Sequence, residues 1–295
     1  MIMKTIPVKC FKSSRNYWIK SKKMYENRQV LFGTAGWSYL DWEGTVYPAR
    51  IPRGFNQLEF LAREKKMDFV EVNTSFYRIP PEKMAEGWIN KIGGIDHFGF
   101  WIKIHQNFTH KQTLIKNELN AFLKFLGPLI REKKLLGLLA QFPYSFKFTS
   151  QNLKYLDMIF QIFGRYNLVI EFRHKSWNCT KIIDRFREQA VIWANIDQPV
   201  ISESLPLTSI STHPKIAYIR IHGRNYQHWF SNSGRDARYD YDYSESELIE
   251  INREIDRLKK LAKKVFISGN NHYKGAAVKN LIQLKKMGLL NVQAK

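Results

Sequence analysis

Cysteine is nearly absent: Cys10 and Cys179 are the only two in 295 residues, and no C-x-x-C pair occurs. A Cys₄ zinc site and a disulfide framework are excluded, and a reducing, cytosolic (cytoplasmic) setting is the simplest expectation. Long apolar runs are also lacking. No stretch approaches the roughly 20 residues of a spanning helix, so no membrane partner is expected. No Gly-x-Gly-x-x-Gly follows the first predicted strand, which disfavours a doubly wound dinucleotide fold. Neither H-E-x-x-H nor H-x-H appears, and Ser38 has no G-x-S-x-G elbow, so neither a familiar zinc helix nor a serine nucleophile is indicated. Acids are scarce, 26 against 47 Lys and Arg, and the resulting net charge of +21 favours anionic partners, either small molecules or nucleic acid.

Eight of those bases fall in residues 1–28 against a single acid, Glu26, with no apolar periodicity. This segment reads as a basic N-terminal extension outside the core, and residues 29–295 as one domain. Within that domain, short β-branched or aromatic runs alternate with amphipathic stretches. Strands are predicted at 30–35, 68–73, 98–105, 136–142, 167–172, 190–196, 216–222 and 264–270. Helices are predicted at 56–66, 81–92, 116–134, 151–166, 176–189, 244–263 and 275–287, with an irregular Pro-rich piece, 202–214, after the sixth strand. Eight such alternations predict an α/β fold, a single (β/α)₈ TIM barrel, with an open doubly wound sheet as the alternative. The connection from His222 to Tyr243 is several times the ordinary loop length, and its aromatics suggest an ordered lid.

The predicted strands end in polar residues spaced two apart: Glu71 and Asn73, Lys103 and His105, Glu171 and Arg173, Arg220 and His222. Gln141, Asn195 with Asp197, and Asn270, Asn271 and His272 end three others. Side chains two apart share a face of a strand, so in a barrel these sets converge at the C-terminal mouth. One such pair taken alone, Glu171 with Arg220 for instance, reads as a buried salt bridge. Several together predict a shared polar cavity, because unpaired charge is costly to bury.

Glu71, His105, Glu171, His222 and His272 are the candidate catalytic residues, as carboxylates and imidazoles suited to proton transfer. Lys103, Arg173, Arg220 and Arg224 are candidates to grip an anion, and Asn73 and Asn271 to hydrogen-bond it. Trp37, Tyr77 and Trp177 are candidates to stack on a base or sugar. In GWSYLDW, Trp37, Tyr39 and Trp42 either seal the barrel top or touch the ligand. No cofactor is identified. A divalent metal held by His105, His222 and His272 with Glu71 or Glu171 is one version, opposed by the nearby cations.

GTAGWSYLDWEGTVYP (33–48), FVEVNTSFYRIP (69–80), FWIKIHQNFTH (100–110), LLAQFPYSF (138–146), IEFRHKSW (170–177), YIRIHGRN (218–225), RYDYDYSESEL (238–248) and GNNHYKGAAVKN (269–280) together resemble the DUF72, or YecE-like, family. The resemblance runs from about residue 30 to the C-terminus. It implies a TIM barrel but no established reaction. Ala35 and Gly269 depart from its usual pattern. The expectation is an enzyme acting on an anionic substrate, phosphate-bearing or nucleic-acid-derived, at the barrel mouth, with hydrolysis as one candidate reaction. The alternative is a nucleic-acid-binding protein without catalysis.

Overall fold

A computed structural model describes residues 28–229 and 235–293. Eight parallel strands follow one another round a closed barrel: β1 (Val30–Ala35), β2 (Phe69–Val72), β3 (Gly99–Lys103), β4 (Leu135–Gln141), β5 (Leu168–Glu171), β6 (Ile192–Asp197), β7 (Ile216–Ile221) and β8 (Lys264–Gly269). The ring closes between β1 and β8, from Val30 opposite Val265 to Thr34 opposite Gly269. That pairing establishes the single (β/α)₈ barrel expected from the alternation and excludes the open sheet. The strands are almost wholly buried, as a parallel sheet covered by helices requires.

The strand-to-strand connections are helical except one. Helix Glu245–Leu261 begins with a capping box in which Ser244 and Glu247 each satisfy the other's backbone N–H. Between β6 and β7 no helix forms. The segment is instead strapped to β6 by side chains: Asn195 accepts from Ile210 N (2.8 Å) and Thr208 Oγ1 (2.7 Å), while Thr212 Oγ1 accepts from Trp193 N (2.9 Å) and donates to Val191 O (2.6 Å). Asn195 therefore serves the outer wall, not the mouth.

The barrel interior is filled in its lower part by aromatic rings from facing strands. Trp101 packs edge-on against Tyr218 (4.9 Å between centroids) and Phe266 (5.3 Å), and Phe266 against Phe69 (5.6 Å). Rings of this size need a gap opposite them, and Gly137 on β4 provides it: an added Cβ would stand 2.3 Å from both Trp101 Cζ3 and Asn167 O.

The basic extension lies outside the described residues except for Arg28. Its guanidinium pairs with Asp68 at 2.5 Å and its carbonyl accepts from Lys264 Nζ at 2.6 Å. Among the described residues no helix is long and apolar enough to cross a membrane.

Gly137→Ala is expected to destabilise the fold by roughly 1–3 kcal/mol through overpacking. Gly87→Ala, in helix Glu82–Lys91 where an added Cβ meets nothing within 4 Å, is expected to stabilise it by roughly 0.5–1 kcal/mol. Urea unfolding of the two variants beside the parent checks both signs.

Candidate functional site

Arg220, at the end of β7, reaches across the barrel to two carboxylates on other strands. Its Nε and Nη2 donate to Glu71 Oε2 and Oε1 at 2.9 and 2.6 Å, and its Nη1 donates to Glu171 Oε2 at 2.5 Å. Arg220 is 1% exposed and both glutamates are fully enclosed, so these charges are tolerated only because Arg220, with Arg173 beside Glu171, balances the two carboxylates. Tyr218 and Ser268 each donate a hydroxyl to Glu71 Oε2 at 3.1 Å. Arg173 pairs with the outer oxygen of Glu171 at 2.7 Å and donates to Gln198 Oε1 at 2.6 Å. Burial alone would raise the Glu171 carboxyl, but Arg173 and Arg220 hold it well below the usual carboxylate range.

His222 is enclosed beside this cluster. Burial, and then the charge of Arg173, hold its imidazole well below its ordinary range, so it is neutral. Asn270 Nδ2 stands 2.8 Å from Nδ1, and Nε2 faces Glu171 Oε1 at 3.3 Å. An amide donor at Nδ1 assigns the proton to Nε2, where it faces the carboxylate.

Above this layer opens a cavity of about 250 Å³ with Arg220 in its floor. Lys103 and Arg173 stand in its wall with the amides of Asn73, Gln141 and Asn270. Trp37, Tyr39, Tyr77 and Tyr239 form an aromatic side, where His272 stacks on Tyr39 at 4.3 Å. Among the described residues no carboxylate lines the cavity. The buried Oδ1 of Asn73 meets no protein donor. Lys103 Nζ donates to Gln141 Oε1 at 2.7 Å and lies 4.1 Å from the centre of the Phe76 ring. Burial first, and then the charge of Arg220, push it down from its ordinary 10.5 to about 7. A second hollow, of about 610 Å³, lies against helix Ala276–Gln293, but Asp240 and Asp242 join its lysines, and Lys279 pairs with Asp242.

Of the residues singled out from the sequence, Trp37, Asn73, Tyr77, Lys103, Arg173, Arg220 and His272 meet at this cavity. Glu71, Glu171 and His222 lie buried beside or beneath it. The anion-gripping role expected for Arg220 is corrected: its guanidinium is taken up by the two glutamates.

Four further placements are corrected, each for a local reason. His105 follows the end of β3 and caps the short helix Gln106–Thr109, its ring accepting from Asn107 N at 3.3 Å. Arg224 follows Gly223, whose φ of +89° breaks the strand's alternation and turns Arg224 away to Asp197 (2.9 Å) and Glu250 (3.0 Å). Asn271 has the opposite parity to Asn270 and His272, and its Nδ2 donates to Tyr241 O and Asn280 Oδ1. Trp177 folds back to stack on Phe172 (4.3 Å, 1°) and Phe146 (5.2 Å, 9°), with its Nε1 donating to Phe146 O.

In GWSYLDW, Trp42 is core while Trp37 and Tyr39 face the cavity. Among the described residues no three of His, Cys, Asp and Glu are grouped to hold a metal ion. His105, His222 and His272 therefore do not assemble the metal version considered from the sequence.

Gln141 and Asn270, marked at strand ends but not among the candidate binding residues, also line the cavity. Tyr239 had no such signal, because it comes from the long connection. The described part of that connection is tied down: Tyr243 Oη accepts from Gly223 N at 2.9 Å and donates to Asp197 Oδ2 at 2.5 Å, and Trp229 lies over Arg173 at 5.5 Å. Residues 230–234, within the expected lid, fall outside the described residues.

A family model described as "Protein of unknown function DUF72" matches residues 31–294. The chain is 29% identical over 273 residues to the UPF0759 protein YunF of Bacillus subtilis, covering 88% of this chain and 94% of that one. Among solved structures, a DUF72 family protein from Thermotoga maritima matches at 33% identity and a TM-score of 0.79, over 88% of this chain and 99% of that one. Another, from Enterococcus faecalis, matches at 26% identity and a TM-score of 0.74, over 87% and 94%.

Removal of Arg220 leaves Glu71 without its cation, whereas Glu171 keeps Arg173. Arg220→Met is therefore expected to cost roughly 3–5 kcal/mol, most of it recovered by adding Glu71→Gln. Chemical unfolding of the single and double variants checks this, and a parent-like single variant would contradict it. The Lys103 amine titrates lower folded than unfolded, so between about pH 7 and 10 the unfolded chain binds the extra proton and stability rises with pH. Below about 7 both states are protonated and the rise is absent. The stability difference between parent and Lys103→Met, followed from pH 6 to 10, should grow in the parent's favour across that window.

Proposed function

The chain belongs to the DUF72 family, and on that premise we propose that the mouth cavity is the active site of an enzyme for a small anionic substrate, bearing phosphate or carboxylate and including nucleic-acid-derived monomers. The observation that carries this reading is the charge of the lining: Lys103, Arg173 and Arg220 border the cavity and, among the described residues, no carboxylate does. Three of the five Arg220 N–H donors are taken by Glu71 and Glu171, so its part toward an anion is secondary to that of Arg173. Arg173 is the residue to take the anion, because Glu171 and Gln198 fix its guanidinium while one edge remains on the wall. At about 250 Å³ the cavity is sized for a metabolite or a single nucleotide. The aromatic side formed by Trp37, Tyr39 and Tyr77 suits a flat or sugar-like body.

Among the described residues, the acid–base groups that border the cavity are Lys103, Tyr39, Tyr77, Tyr239 and His272. Glu71 and Glu171, which hydrolysis would call on to activate water, are committed to Arg220. Proton transfer to and from the substrate is therefore assigned to the wall and not to the carboxylates.

Calorimetric titration with inorganic phosphate, pyruvate, a mononucleotide and a short oligonucleotide tests this. Small anions are expected to bind, and Arg173→Met to weaken them by roughly 10–100-fold, the worth of one or two charge-assisted hydrogen bonds, with near-ultraviolet circular dichroism unchanged. Binding of the oligonucleotide alone, insensitive to Arg173→Met, would overturn the reading in favour of a nucleic-acid-binding surface.

A further inference from the structure

We propose that the substrate carries an aldehyde or ketone beside its anionic group, and that Lys103 attacks that carbonyl as an amine nucleophile to form an iminium. This rests on the cavity being the anion site proposed above. Three features of the geometry point to it. Lys103 ends β3 and reaches the cavity on a fixed path, its Nζ held by Gln141 Oε1 at 2.7 Å and by the Phe76 ring at 4.1 Å. Its hydrogen-bond acceptor is a neutral amide, and among the described residues it pairs with no carboxylate. The two glutamates that would have served it are occupied, Glu71 by Arg220 and Glu171 by Arg220 and Arg173. Arg173 stands in the same wall, so an anion held there presents its other end to Lys103.

A buried lysine beside two guanidiniums, with the nearby Glu71 and Glu171 already paired to those guanidiniums and only partly offsetting them, favours the uncharged amine. The downward shift to about 7 agrees with this. A lysine used only to bind phosphate would be better served by a full charge.

The step balances as follows. The Nζ lone pair forms the C–N bond as the carbonyl π pair moves to oxygen. Nitrogen gives up one proton and oxygen takes one, giving the carbinolamine. Protonated again, that oxygen leaves as water while nitrogen's remaining lone pair closes the C=N⁺ bond. Net, one amine, one carbonyl and one proton give one iminium and one water, with no oxidant or reductant. The charge balance favours this site. The bound anion brings one negative charge and the iminium one positive charge, so the adduct adds no net charge beside Arg173 and Arg220.

The test uses the full chain with glyoxylate, a small aldehyde bearing a carboxylate, and sodium cyanoborohydride at pH 7.5, followed by peptide mass mapping over time. Glyoxylate reacts with any accessible neutral amine, so each lysine's rate reports its reactivity. Lys103 is expected to be modified at least 100-fold faster than the exposed lysines, with inorganic phosphate protecting it and Arg173→Met slowing it at least tenfold. In Lys103→Arg, and in Lys103→Met should the arginine variant fold poorly, the fast phase should vanish. Modification of Lys103 no faster than exposed lysines would overturn the proposal. If phosphate still binds in an Arg173-dependent way, that result removes the nucleophile and leaves the anion site standing. If phosphate neither binds nor protects, the anion site falls as well.

Discussion

Two carboxylates from opposite sides of a barrel, Glu71 on β2 and Glu171 on β5, are buried completely and share one guanidinium, that of Arg220 on β7. Taking three charges out of water is tolerable only when donors and acceptors are matched, and here the match is bidentate to one glutamate and single to the other. Everything above that layer follows from how the charges are allocated. Because Arg220 engages both acids, the negative charge lies below the floor of the cavity, and the positive charge of Arg173 lies in its wall beside the Lys103 amine. Because Glu171 is also shared with Arg173, that guanidinium is held still. His222, enclosed between Asn270 and Glu171, stays neutral, its Nε2 facing the carboxylate at 3.3 Å.

Below the ion layer the same inward-facing rows carry Phe69, Trp101, Tyr218 and Phe266, so one set of side chains passes from packed aromatics to buried ions to an open cavity. Tyr218 joins the two regimes: its ring packs edge-on against Trp101 in the aromatic plug and its hydroxyl donates to Glu71. The order fits the physics of a barrel, in which the bottom confers stability and the C-terminal end carries the site. Lys103 shows what the arrangement does to a single group. Placed on the wall with every nearby acid already engaged, it is left with an amide and a ring, and its charge is disfavoured by burial and by Arg220.

How far the sequence could be read was decided by where strands stop. Within a strand and for one inward step past it, period-two spacing placed Glu71, Asn73, Lys103, Glu171, Arg173 and Arg220 at or beneath the cavity, and His272 reaches it from the second step past β8. It failed where the backbone left the strand. Gly223 turned Arg224 outward, the short helix after β3 claimed His105 as its cap, and the turn after β5 buried Trp177 among Phe146 and Phe172. Spacing also cannot distinguish a charge that faces solvent from one that meets its opposite across the barrel. Arg220 was expected in the open mouth, and only the placement of β2, β5 and β7 round one ring reveals that both glutamates reach it. Tyr239 was illegible because no periodicity governs the long connection that delivers it.

The division of labour among the cations is the claim on which the functional reading turns, and a crystal structure of the protein soaked with inorganic phosphate tests it most directly. The expected result is a phosphate in the mouth cavity, contacted by Arg173 and Lys103, with Arg220 still bonded to Glu71 and Glu171. A phosphate gripped by an Arg220 that has left either glutamate, or bound only outside the cavity, would contradict it.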